Sequence, residues 1–197
     1  MISIILSLLL SSAGNQASAC DDLSGFKQLM AGPRQSRYEY RGRYVNWAYQ
    51  YSVQIPKGLT GYDGRREPRH NGFALGLGNA SQSVIFVSAD PNSLEYNTPR
   101  EAATRDIEFL RQRGKEIESQ TITDSHLGTL DAVRLVVAYT CPGSADRRIE
   151  SSVMALSANK EFIYELVMYS PADRYENDRA VLDQIMKSWK ITRHGSR

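Results

Sequence analysis

The residues able to do chemistry are few, and their spacing does not favour it. The histidines are His70, His126 and His194. None belongs to an H-x-x-x-H or H-E-x-x-H pair, the spacing that turns two imidazoles onto one helix face as zinc ligands. No G-x-S-x-G frames a serine on the strained turn that exposes a nucleophile. Aspartates and glutamates are plentiful, but no two are marked by sequence as the carboxylate pair of a glycosidase. Gly76-Leu77-Gly78-Asn79 opens like a dinucleotide fingerprint, yet the third glycine is missing and no helical pattern follows. It reads as a strand whose glycines admit close packing. Asn79-Ala80-Ser81 fits a glycosylation sequon and carries no further expectation. The reading is of no catalytic set, no metal site and no cofactor.

What remains is binding chemistry. The stretch from Leu59 to Asn71 is long for a hairpin connection and carries Tyr62, Arg65, Arg66, Arg69 and His70. These groups suit an acidic partner or an anionic ligand; the plainer reading is a solvated loop held by Asp63 and Glu67. From Arg34 to Trp47, arginines alternate with Tyr38, Tyr40, Tyr44 and Trp47. Tyr, Trp and Arg are the types favoured at interface hot spots. The alternative there is an edge strand with its aromatic face on the core.

Those segments sit in a chain with an export address. Ile2 to Leu10 is apolar apart from Ser3 and Ser7, and small and polar residues lead to Ala17-Ser18-Ala19. This is the apolar region and A-x-A cleavage site of a signal peptide, although no Lys or Arg precedes it. It is too short to span a bilayer, which takes about 20 apolar residues, and no other stretch is apolar enough. The mature chain begins at Cys20. Its net charge is +2, which argues against nucleic-acid binding and against strong attraction to a membrane surface. Cys20 and Cys141 are the only cysteines, and an even count in an exported chain points to a disulfide. The alternative is a lipid anchor on Cys20; Ala17 stands where such signals usually carry Leu, and Cys141 would be orphaned.

The elements follow from periodicity. A short helix runs from Leu23 to Met30 and stops at Gly32-Pro33. Tyr49, Tyr51, Val53 and Ile55 alternate with smaller or polar residues as a half-buried strand does. Strands are also predicted around Phe73–Leu77, Val84–Ala89, Ile117–Thr123, Val133–Tyr139, Ile149–Leu156 and Phe162–Met168. Thr98-Pro99 with Glu101 opens a helix whose Ala103, Ile107 and Leu110 share a face. A last helix carries Tyr175, Leu182, Ile185 and Trp189, with Asp173 as its expected cap. The expected fold is α+β: an antiparallel sheet with two amphipathic helices packed on one face, a two-layer sandwich. The division is a signal peptide at 1–19, an N-terminal extension at 20–48, the α+β domain at 49–191 and a flexible tail at 192–197.

Three passages carry a resemblance: Tyr51-Ser52-Val53-Gln54-Ile55-Pro56-Lys57-Gly58, then Leu127-Gly128-Thr129-Leu130-Asp131-Ala132, then Phe162 to Ile191 ending in Lys187-Ser188-Trp189-Lys190. In these the chain resembles the PsbP-like fold, shared by the extrinsic photosystem II subunit, a Ran-binding nuclear import factor and exported bacterial proteins. The resemblance runs from about Tyr49 to Ile191. It implies a fold and a habit of binding other proteins, and it carries over no functional residue. The functional expectation is an exported, non-catalytic protein-binding module, periplasmic or secreted, of accessory or immunity type. The alternatives are a small-ligand carrier using the cleft between sheet and helices, and a hydrolase with a non-contiguous site.

Overall fold

In the computed structural model, the described residues are 23–34, 37–64, 71–78, 82–143 and 146–192. They form three helices: α1 (Ser24–Ala31), α2 (Pro99–Gln112) and α3 (Tyr175–Ser188). The strands are β1 (Arg37–Tyr40), β2 (Arg43–Asn46), β3 (Tyr51–Gln54), β4 (Gly61–Gly64), β5 (Gly72–Leu77) and β6 (Ser83–Pro91). After α2 come β7 (Glu116–Leu127), β8 (Leu130–Thr140), β9 (Arg148–Leu156) and β10 (Phe162–Pro171), and β11 (Lys190–Ile191) follows α3.

Eight strands make one sheet in the order β1-β4-β5-β6-β10-β9-β8-β7, and β11-β3-β2 make a small second sheet. Every pairing is antiparallel. β7 to β10 form the meander that the sequence predicts, each strand pairing with the next. The polar stretch after Leu59 includes β4, and the aromatic-basic segment supplies β1 and β2. β1 therefore pairs with β4 in the large sheet and β2 with β3 in the small one, so residues placed in an N-terminal extension build both sheets.

The helices do not share one face of the large sheet, which corrects the two-layer expectation. α3 packs with the small sheet on the side of Ile85, Val87, Val153, Leu166 and Met168. α2 lies on the opposite side, on Val133, Leu135, Val137, Met154 and Ile163. α1 joins α2 there, with Leu23 and Phe26 against Ala74 and Val84. The physical reason is that the central strands are apolar on both faces. β9 is buried continuously from Glu150 to Leu156, so one covered face would leave half of it in water.

α2 begins as its sequence dictates. The Thr98 hydroxyl accepts the Glu101 amide at 3.2 Å, Pro99 holds the first position, and the Glu101 carboxylate accepts the Asn97 amide at 2.8 Å. Gly114, at φ +77°, ends it in a conformation that favours glycine. Thr98→Ala is expected to lower stability by about 1 kcal/mol, read as a shift in the urea midpoint with unchanged slope. In α3 the expected cap is absent: Arg174 holds the cap position and no side chain bonds there. Its first turn is tied down instead by buried Asp178, which accepts the hydroxyls of Ser83 at 2.5 Å and Ser170 at 2.6 Å.

Candidate binding site

The sequence-predicted binding residues fall on different surfaces. Tyr38 and Tyr40 point to the side of the small sheet. Their rings are 6.4 Å apart, and Tyr40 meets Tyr44 edge-on at 4.9 Å. Tyr40 is thus a core-packing residue, and burial pushes its hydroxyl up to about 12. Tyr62 points to the other side, against Phe26 at 6.4 Å, with the Arg37 guanidinium 5.2 Å above its ring. Trp47 stands exposed in the turn between β2 and β3. Arg65, Arg66, Arg69 and His70 lie outside the described residues, as do Cys20 and His194. Cys141 is buried and is not a free thiol. His126 is exposed at the β7–β8 turn, 3.6 Å from Asp131. Among the described residues no group of three acids, cysteines or histidines is placed to hold a metal ion.

A different site is assembled between α2 and the sheet. The connection after β6 crosses to the helix under the control of Asn92. Its side-chain amide donates to the carbonyls of Tyr96 and Lys160, both at 3.0 Å, and its side-chain oxygen accepts the Tyr96 amide at 3.0 Å. Leu94 is thereby carried at the tip of a fixed loop, 59% exposed. Across from it, α2 presents Phe109, also exposed. Between them is a cleft of about 290 Å³, floored by Met154, Ile163 and Glu165, with Asp90 and Asp106 in its walls.

The carboxylates of this cleft have unequal partners. Asp90 accepts the Asn71 side-chain amide at 2.8 Å. Asp106 is held above the usual carboxylate range by burial, against which act a hydrogen bond with Glu150 and the charges of Lys115 and Arg113. Behind it, Lys115 lies fully buried, 3.5 Å from Glu150 and 4.2 Å above the Tyr139 ring. Glu165 has no hydrogen-bond or ion-pair partner among the described residues. Burial pushes it up to about 7, and the negative charges of Asp106 and Asp90 add to the effect. Among the described residues no lysine or arginine lines the cleft.

Sequence reading missed these residues, although a signal was present. Phe162, Tyr164, Leu166 and Met168 alternate along one face of β10. The other face, Ile163, Val167 and Tyr169, is apolar apart from Glu165. Asp106 likewise interrupts the stripe Ala103, Ile107 and Leu110. A lone charge within an apolar face is the pattern that both sites share.

No protein-family profile matches the chain, and no curated protein sequence does. Solved structures do. The Ran-binding protein Mog1p of Saccharomyces cerevisiae superposes with a TM-score of 0.53 at 10% identity, over 78% of this chain and 96% of that one. The cyanobacterial PsbP of Synechocystis gives 0.50 at 12% identity, over 82% and 95%. The fold is PsbP/Mog1-like. A protein of Bacteroides thetaiotaomicron gives 0.51 at 9% identity, over 80% of this chain but 50% of its own length. At these identities the PsbP/Mog1-like comparison fixes the architecture alone, and the site stands on its own geometry. Among the described residues no helix is long and apolar enough to cross a membrane.

Proposed function

We propose that this chain is an exported, non-catalytic binding module whose working surface is the cleft between α2 and the sheet. The observation that carries the proposal is the combination at that cleft. Exposed Leu94 and Phe109 rim a floor that holds the half-buried Glu165 carboxylate, which has no hydrogen-bond or ion-pair partner among the described residues. Exposed apolar side chains beside a half-buried carboxylate are costly for a chain working alone and useful for one that completes the site with another molecule. The partner is another protein, met in the periplasm or outside the cell after removal of residues 1–19. The state of Cys141 supports a Cys20–Cys141 disulfide in the mature chain over a lipid anchor, since Cys20 is the one other cysteine in the sequence.

The aromatic-basic residues Tyr38, Tyr62 and Trp47, with the loop of Arg65, Arg66, Arg69 and His70, are kept as a second contact region within the same proposal. The test compares tagged wild-type protein with two variants in partner recovery from its native envelope. Leu94→Asp combined with Phe109→Asp should abolish recovery, because both side chains are exposed and their loss spares the core. Tyr38→Ser combined with Trp47→Ser should reduce it less. Full recovery by the Leu94/Phe109 variant would remove the cleft from the account.

One observation favours a second reading. A carboxyl held near neutrality suits a general acid, and Glu165 with Asp106 would be the residues of a hydrolase. That reading requires turnover on peptidoglycan, ester or peptide substrates that disappears in Glu165→Gln.

A further inference from the structure

We infer that the α2 cleft receives an organic cation, an ammonium or guanidinium group on a short apolar stem, with Glu165 as its counter-ion. The inference deepens the proposed function and rests on that reading of the cleft.

Charge comes first. Three carboxylates, Asp90, Asp106 and Glu165, line the cleft, and among the described residues no basic side chain does. The cations nearby are engaged elsewhere. Lys115 faces Glu150 behind Asp106. Arg105 pairs with Glu108, and its guanidinium lies 5.0 Å from the Phe109 ring. Among the described residues Glu165 is therefore left without a counter-charge, in a setting where a bare carboxylate is expensive. An anion would be repelled, and a neutral occupant would bury Glu165 further without compensation.

The walls then choose among cations. A hard metal ion needs several converging oxygens, and no group of three acids among the described residues supplies them. Leu94, Phe109, Met154 and Ile163 can surround a hydrocarbon stem, and Tyr96 adds an aromatic ring to the lining. The volume of about 290 Å³ is at the small end of ligand sites. It suits one amine or one side chain and is tight for a large cofactor. Lysine and arginine side chains, and free alkyl amines, share this chemistry.

The experiment is a titration of the full folded chain near pH 8, followed by calorimetry and by amide chemical shifts. The probes are 1,5-diaminopentane, Nα-acetyl-lysine methylamide and uncharged 1-pentanol. At least one of the two cations should bind and move the amides of Leu94, Tyr96, Phe109 and Glu165. Glu165→Gln should weaken it by about tenfold or more, and pentanol should not compete. Glu165→Gln removes an unpaired charge and keeps the shape, so the variant folds, which circular dichroism checks. Tighter binding of the diamine identifies a free small molecule as the source; tighter binding of the lysine derivative identifies a side chain of a protein partner. The inference is overturned if neither cation moves the cleft amides, if Glu165→Gln binds equally well, or if pentanol matches the cations. If in that event the Leu94/Phe109 variant still loses its partner, the cleft remains the binding surface and only its chemistry has been misjudged.

Discussion

Trp189→Ala should destabilise the chain by about 3–5 kcal/mol, a loss on the order of 10 °C in Tm for a domain of this size. Trp189 is 2% exposed. Its indole stacks on Tyr51 at 4.3 Å with planes 5° apart and meets Tyr164 edge-on at 5.4 Å. It is the point where α3 closes onto the small sheet. Gly128 abuts it from the β7–β8 turn: at φ +62°, an added Cβ would run into the Trp189 carbonyl. The three passages that carry the fold resemblance thus meet at one packing node, through Tyr51, Gly128 and Trp189. This gives a physical reason why such a signature marks a fold and no activity. The indole N–H has no hydrogen-bond partner among the described residues, so Trp189→Phe should cost much less than Trp189→Ala. Equal losses in thermal unfolding would mean that the stack contributes little.

The second large effect depends on pH. The Glu165 carboxyl sits near 4.5 when unperturbed and at about 7 in the folded chain. Between those values the unfolded chain has lost this proton and the folded chain still holds it. The contribution is therefore complete below about 4.5 and is lost as pH rises through about 7, after which the curve is flat. The full span corresponds to about 3 kcal/mol, an upper figure because the side chain is partly open to the cleft. Asp106, also raised, acts with the same sign. The groups facing Glu165 are Asp90 on β6 and Asp106 on α2. Lys115 and Arg113 moderate Asp106. Because other acids titrate too, the quantity to measure is wild type minus Glu165→Gln, in urea unfolding at several pH values. That difference should grow from near zero at low pH to a clear advantage for the variant near pH 8. A difference that does not change with pH would show that Glu165 is hydrated like any surface acid.

Much of the architecture was legible because periodicity reports burial directly. β3, β5, β6, β8 and β10 alternate or run apolar as buried strands must, and Thr98-Pro99 with Glu101 marks the start of α2. β4 was hidden because Gly61 and Gly64 carry a turn-like composition; its partner β1 supplies the ladder that composition does not. The side on which each helix packs was not legible, since an amphipathic stripe states that a face is covered without stating by which layer. β9 held that information in Val153, Met154, Ala155 and Leu156, four consecutive buried residues. The candidate site was the least legible part. Asp106 and Glu165 are 59 residues apart in sequence, and only the packing of α2 on β8 and β9 brings them to one cleft.

The central claim, that the α2 cleft is the binding surface, is tested most directly by a photo-activated cross-linker introduced at single positions in the native host. With the cross-linker at Leu94 or Phe109, one discrete adduct should form, and Glu165→Gln should diminish it. With it at Lys187 or Lys190, on the α3 side of the sheet, none should form. Adducts on the α3 side and none at Leu94 or Phe109 would contradict the account.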